Sequence, residues 1–273
     1  VKTVKMQGGI GNQLFCLAFA HSVARLGDSP AAMDLAPFRA SRYGHTFALE
    51  DLTLGLDDIR LVRRRLAGAR LTTAVMRAAP LARVAALAGY VSEGEPPTNE
   101  AALAALIASG RYFNGYWQNE AYIARPEEFV ARTREAVFRR AGPTTRREVV
   151  IHYRTYKEEV RAHARRTPGA AYARAALARI EAALGRPAEV CLVSDDPVLA
   201  LRALGDLGRE IKVMAGADPW EDMALLMKAR ALVLANSSFS WWGGFCGAAE
   251  VVIYPRADDF FHYPIPAARF ACV

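Results

Sequence analysis

Short apolar runs alternate along the chain with longer stretches of helical period. Residues 1–6 read as a strand, Gly8-Gly9-Ile10-Gly11 as a tight loop, and residues 12–26 as a helix whose Leu14, Phe15, Ala18, Ala20 and Val23 can form a buried face. Further strands are expected at 149–154, Val190–Ser194, 211–214, 231–235 and Val251–Tyr254. Helical stretches fall near Ala170–Leu184, Pro197–Leu204 and 220–228. Short strands alternating with helices argue for βαβ units and a parallel sheet, hence an α/β fold. The first half is less regular. Residues 57–89 are rich in Arg, Leu and Ala and are expected to be helical, 93–98 carry a Pro-Pro break, 99–109 read as a helix and 111–117 as a strand. The short polar segment 142–147 breaks the pattern, which places a domain boundary there and divides the chain into 1–145 and 146–273.

The 273 residues suffice for one large domain or two ordinary ones, and 52% hydrophobic content is too high for intrinsic disorder. No stretch is long and apolar enough for a membrane span, and no leader precedes the first strand, so a soluble chain in the cytoplasm is expected. A net charge of +7 and a pI near 9.4 favour anionic partners such as nucleic acid, phospholipid head groups or phosphorylated small molecules. The arginines cluster at Arg60, Arg63, Arg64 and Arg65 and at Arg161, Arg165 and Arg166, without interleaved aromatics. That pattern fits a solvated surface better than a nucleic-acid site. Cys16, Cys191, Cys246 and Cys272 are far apart; the first three sit in apolar surroundings and read as buried thiols of a reducing compartment. Neither cysteines nor histidines have the paired spacing of a zinc site.

Four strings carry candidate chemistry. Gly8-Gly9-Ile10-Gly11-Asn12 lies between strand and helix, where a ligand can approach the free N–H groups of a helix start. Asn12 and Gln13 add two amides, and Asp34 ends a second strand where a dinucleotide fold would hold a ribose. Leu14 stands where G-x-G-x-x-G requires glycine, so that fingerprint fails. The second string ends a buried strand with His152 and Arg154 on one face, and the arginine fork suits a diphosphate. In the third, Asp195 or Asp196 can cap a helix and the other can accept hydrogen bonds from a base such as guanine. The fourth, Asn236-Ser237-Ser238-Phe239-Ser240-Trp241-Trp242-Gly243-Gly244, closes a strand and opens a helix with small polar groups suited to phosphate.

Together with Met6-Gln7 before the glycine loop, Gly115-Tyr116-Trp117-Gln118-Asn119 and the helix from Pro219 to Met227, these strings resemble glycosyltransferase family 11. Those are the GDP-fucose-dependent α-1,2-fucosyltransferases of bacterial polysaccharide synthesis. The resemblance runs from residue 6 to about residue 256 and is weak over 40–108. It implies a GT-B-like fold, two Rossmann-like domains facing a central cleft, with the acceptor in the N-terminal half and GDP-fucose in the C-terminal half. It also implies metal-independent, inverting transfer without a cofactor. Carried over, Arg154 binds the diphosphate with Asn236, Ser237, Ser238 and Ser240; His152 and Asp195 or Asp196 face the guanosine; and Asn12, with Gly9, Gly11 and Gln13, lies near fucose and acceptor. Arg154 and Asn12 are the catalytic candidates. The acceptor would be a galactose-containing glycan, lipid-linked in the fullest version, which would bring the enzyme to the inner membrane face.

One departure stands out. The family reads His-x-Arg-Arg-Gly-Asp-Tyr where this chain has His152-Tyr153-Arg154-Thr155-Tyr156-Lys157-Glu158. The departure leaves open another GDP-deoxysugar donor or an inactive GDP-sugar-binding homologue. Asp34, Glu120 and Glu158 are each available as a base. A dinucleotide-dependent oxidoreductase would explain the glycine loop and Asp34 but not the Asn236–Trp242 string, and a nucleic-acid-binding module would explain only the charge.

Overall fold

The computed structural model describes residues 1–40, 44–50, 59–62, 89–155, 168–214, 216, 218–255 and 270–272. They form two units, Val1–Phe129 and Val130–Val273, each built on a parallel sheet.

In the first unit, β1 (Lys2–Lys5) is the central strand because its side chains are buried on both faces. Around it lie β2 (Ala31–Asp34), β3 (Ile59–Val62), β4 (Tyr90–Ser92) and β5 (Tyr112–Asn114) in the order β3-β2-β1-β5-β4. Helix α1 (Ile10–Leu26) packs Leu14, Phe15, Leu17 and Phe19 into the core beside β1 and β2. Helix α2 (Glu100–Ser109) starts at Asn99, whose side chain accepts the Ala102 N–H at 2.9 Å. Its far end is closed by Lys2, a buried ammonium that donates to the carbonyls of Ile107 (2.7 Å), Ala108 (3.3 Å) and Gly110 (3.0 Å). A cation there complements the negative end of the helix dipole.

The second unit contains β6 (Val149–Tyr153), β7 (Val190–Ser194), β8 (Ile211–Val213), β9 (Ala231–Val233), β10 (Val251–Tyr254) and β11 (Phe270–Cys272). Their order, β11-β10-β9-β6-β7-β8, is the doubly wound 3-2-1-4-5-6 arrangement, with its switch point between β6 and β9. Strand alternation divides the core into two layers: Val149 and Ile151 face α4 (Ala170–Leu184) and α5 (Pro197–Leu204), while Val150 joins the layer of Leu225 and Leu226 from α6 (Pro219–Lys228). Helix α7 (Ser238–Cys246) packs against α6 at very short range. A Cβ on Gly243 would stand 2.6 Å from Leu226 Cβ, so only glycine fits.

Helix α3 (Pro126–Ala141) has Glu127 and Glu128 in its first turn and Arg139 and Arg140 in its last, matching its dipole. The chain divides at Phe129/Val130, within α3, rather than at the expected 145/146. The later turns of the helix are bonded within the second unit, where Arg134 Nε donates to Cys246 O at 2.7 Å and Arg140 pairs with Asp218 at 2.5 Å.

Most of the expected elements are present, and Ala170–Leu184, Pro197–Leu204, Val190–Ser194 and Val251–Tyr254 have the expected bounds. Ile59–Val62 corrects the helical expectation for 57–89, since it pairs with β2 as a strand; 63–88 lie outside the described residues. The strand expected at 111–117 stops at Asn114, before Trp117 takes a positive φ. Cys16, Cys191 and Cys246 are buried free thiols, with burial pushing the Cys16 thiol up to about 12.

The α6–α7 contact predicts that Gly243→Ala destabilises the protein by about 1–3 kcal/mol through overpacking. Urea denaturation read by tryptophan fluorescence measures it, and unchanged stability would show that the helices have room to separate.

Candidate active site

The carboxyl ends of β7, β6 and β9 lie side by side and carry three of the four sequence strings. Arg154 follows β6 with its side chain 42% exposed, and its Nη1 lies 3.2 Å from Oδ2 of Asp195, which follows β7. Asp195 Oδ1 accepts the Thr155 N–H at 2.8 Å, so one carboxylate ties the two strand ends together. Asp196 is the helix cap: its Oδ1 accepts the Leu199 N–H at 3.0 Å. Asp195 thus lies against Arg154, and Asp196 starts α5.

His152 is the neutral member of the group. It is buried, its ring centroid lies 5.6 Å from that of Phe239, and Nδ1 has no hydrogen-bond partner among the described residues. Burial, then the neighbouring Arg154 charge, push its pKa down to about 3, with Asp195 opposing. After β9, Asn236 is buried, Ser237 caps α7 by accepting the Phe239 N–H at 3.3 Å, and Ser238 opens the helix half-buried. Ser240 is fully buried and accepts the Ala235 N–H at 2.9 Å, so it braces the loop from beneath. Sequence reading missed Tyr172, whose hydroxyl reaches Leu234 O (2.9 Å) and Ile253 O (3.1 Å) and secures the end of β9. It sits on an ordinary amphipathic helix far away in sequence, with no local signal.

The first unit has a second polar centre beyond the carboxyl ends of β1 and β5. Gly8 (φ +78°) and Gly9 lead into α1, Gly11 is buried in its first turn, and Asn12 Oδ1 accepts from Gln118 Nε2 at 2.6 Å. The glycine loop is thus brought to the Gly115–Asn119 string, with Gln7 Nε2 donating to Gly115 O at 3.0 Å. Gln13 is committed to the backbone: Nε2 donates to Gly8 O (2.9 Å) and Thr46 O (2.8 Å), and Oε1 accepts the Ala48 N–H (2.9 Å). Asp34 is likewise occupied, accepting the Ala36 N–H (2.9 Å) and the Tyr112 hydroxyl (2.8 Å). Glu120 is half-buried and its carboxyl is pushed up by burial, while Lys157 and Glu158 lie outside the described residues. Glu93, which no motif announced, accepts the N–H groups of Tyr116 (2.7 Å) and Gln118 (3.1 Å). Among the described residues no group of His, Cys, Asp or Glu is placed to hold a metal ion, and no helix is long and apolar enough to cross a membrane.

This is the build of the doubly wound α/β proteins that bind ligands beyond their strand ends at a switch point. The family described as glycosyl transferase family 11 matches residues 108–263, more than half of the chain, and the protein belongs to that family. It is therefore a glycosyltransferase, in a family of fucosyltransferases. No curated protein matches the sequence. Similar solved structures include ADP-heptose lps heptosyltransferase II of E. coli (12% identity, TM-score 0.44, covering 100% of this chain and 90% of that one). Another is NodZ alpha-1,6-fucosyltransferase soaked with GDP-fucose, an enzyme from Bradyrhizobium (13%, TM-score 0.46, 96% and 97%). A third is E. coli heptosyltransferase WaaC with ADP-2-deoxy-2-fluoro heptose (9%, TM-score 0.47, 99% and 92%).

The neutral His152 has a measurable signature. Its pKa is about 3 folded against 6.5 unfolded, so between those values only the unfolded chain takes up the proton as pH falls. Stability present above pH 6.5 is then lost on acidification, by up to about 1.4 kcal/mol per pH unit. Asp222 works in the opposite sense, because burial raises its carboxyl from 3.8 to about 6, so the comparison must be with His152→Gln. Relative to the wild type, this variant should gain stability steadily as urea denaturation is repeated from pH 6.5 down to pH 4. Parallel curves would mean that His152 is protonated in the fold.

Proposed function

We propose that the protein is an inverting, metal-independent fucosyltransferase that moves L-fucose from GDP-fucose to a galactose hydroxyl of a glycan, in α-1,2 linkage, during surface-polysaccharide synthesis. The reading assigns GDP-fucose to the C-terminal unit and the acceptor to the N-terminal one, in the GT-B manner, at the cytoplasmic face of a membrane when the acceptor is lipid-linked. The single observation behind it is the convergence of Arg154, Asp195, His152 and the Asn236–Ser238 loop at the ends of adjacent strands, in a chain of this family.

As the glycosidic bond breaks, positive charge grows on the fucose ring and negative charge on the bridging oxygen of GDP. Arg154 donates its fork to the diphosphate, and the hydroxyls and N–H groups of Ser237 and Ser238 with the Asn236 amide complete the anion site. Held uncharged, His152 can hydrogen-bond the guanosine without adding a competing cation. Asp195 keeps Arg154 in place, which leaves base reading to Asp196 through the oxygen its cap does not use. In the N-terminal unit, Asn12 holds the fucose or acceptor hydroxyls beside Gly9 and Gly11. Glu120 is the described carboxylate best suited to take the acceptor proton, since burial raises its affinity for one. The Thr155 departure motivates the alternatives, a different GDP-deoxysugar donor or a binding protein without turnover.

Incubation of labelled GDP-fucose with a glycan array in excess EDTA tests the reading. Transfer to galactose-terminated glycans, inhibited by GDP far more than by ADP or UDP, is the expected result. Transfer restored only by manganese or magnesium would remove the diphosphate role from Arg154, and equal inhibition by the three nucleotides would remove base reading. Arg154→Ala should lower kcat by roughly 10²–10³, the usual loss for one donor of a preorganised anion site. Arg154→Lys keeps the charge but loses the fork and should also be impaired. Steady-state kinetics decides, and turnover of Arg154→Ala within a few-fold of wild type would place the leaving-group site elsewhere.

A further inference from the structure

The turn after β5 holds a conformation that its residue type disfavours. Trp117 has φ +59°, a left-handed value uncommon for a bulky side chain, yet its indole is fully buried and stacked on Phe19 with centroids 4.0 Å apart. Glu93, just beyond β4, spans this residue. Its Oε2 accepts the Tyr116 N–H at 2.7 Å and its Oε1 the Gln118 N–H at 3.1 Å, so one carboxylate grips the amides on either side of Trp117. Gly115 admits the carboxylate, since a Cβ there would stand 2.4 Å from Glu93 Cβ and 2.8 Å from Oε2. Gln118 leaves the clamp buried, with Nε2 2.6 Å from Asn12 Oδ1.

That last bond joins the Asn12 amide to Gln118. Its oxygen is turned to Gln118, and Nδ2 lies on the Gly8 side of the loop, where a Gly8 Cβ would come within 2.6 Å of it. While Gln118 donates, a flipped Asn12 amide would set two NH₂ groups against each other. We propose that Glu93 is a positioning residue for Asn12: by clamping the Trp117 turn it directs Gln118, and Gln118 presents Asn12 as a donor. This rests on the reading of Asn12 as part of the transfer site. A donor held there can meet a sugar hydroxyl or growing negative charge, whereas a freely turning amide would present its oxygen part of the time.

Glu93→Gln is the test, because it keeps the size, retains one acceptor and sets an NH₂ group against the other backbone N–H. Misplacement at one remove from the reacting atoms should lower kcat/KM for transfer on the order of 10–100-fold. GDP affinity by calorimetry and the melting temperature should stay close to wild type. In an Asn12→Ala background the same change should add less than about a twofold effect, because the two act as one unit. Gln118→Leu, which leaves the clamp intact, should show the same pattern and serves if Glu93→Gln fails to fold. Effects that multiply with Asn12→Ala would overturn the proposal. The side-chain amide resonances of Asn12 give a second reading that needs no turnover; they should shift and broaden in Glu93→Gln. If the wild type transfers no fucose, the proposed function falls, and these resonances alone decide the positioning role, unchanged signals refuting it.

Discussion

In the C-terminal unit the winding of the parallel sheet reverses between two neighbouring strands, β6 and β9. The connections leaving such a pair run to opposite faces, so the backbone beyond the strand ends has no neighbouring strand to satisfy it. Side chains supply the missing partners. Ser240 meets the Ala235 N–H, Tyr172 the carbonyls of Leu234 and Ile253, and Asp195 the Thr155 N–H; in the N-terminal unit Glu93 likewise satisfies the amides around Trp117. The polar residues that mark these places in the sequence are therefore of two kinds, those that hold the gap open and those left to face a ligand.

The two polar centres use different chemistry. Beyond β6 the group is ionic, with Arg154 against Asp195 and a histidine kept uncharged between protein and charge. Beyond β1 it is built from amides and glycines, with Asn12, Gln118 and Gln7 linked to backbone or to one another. An ionic group suits a leaving diphosphate, and neutral amides suit hydroxyls, whose hydrogen bonds weaken less when a charge is not already competing for them.

The C-terminal unit was readable because its central strands β6, β7 and β9 are buried on both faces, which leaves continuous apolar runs such as Val190–Ser194 between capped helices. The N-terminal unit hid more. Ile59–Val62 is a strand with Arg60 and Leu61 exposed, so no apolar run advertises it. Tyr90–Ser92 is too short to show alternation. Among site residues, proximity in sequence found His152 with Arg154 and Asn236 with Ser237. It could not say that Gln13 and Asp34 spend themselves on backbone, nor find Glu93, because those facts depend on partners more than twenty residues away. The pairing of Asp195 with Arg154 also needed the sheet order, which brings β7 beside β6.

The 3.2 Å approach of Asp195 to Arg154 gives the arginine a tethered competitor. Any anion that reaches this guanidinium meets a carboxylate that never diffuses away, and must share the guanidinium with it or displace it. Tethered groups act at effective concentrations of millimolar or above, so simple monovalent anions in solution compete poorly. An anion offering two oxygens at the spacing of the fork can displace or share the carboxylate, because it engages two N–H groups at once. Discrimination at this arginine is therefore geometric, a matter of oxygen spacing more than of charge, and the chain's excess of +7 adds little to it.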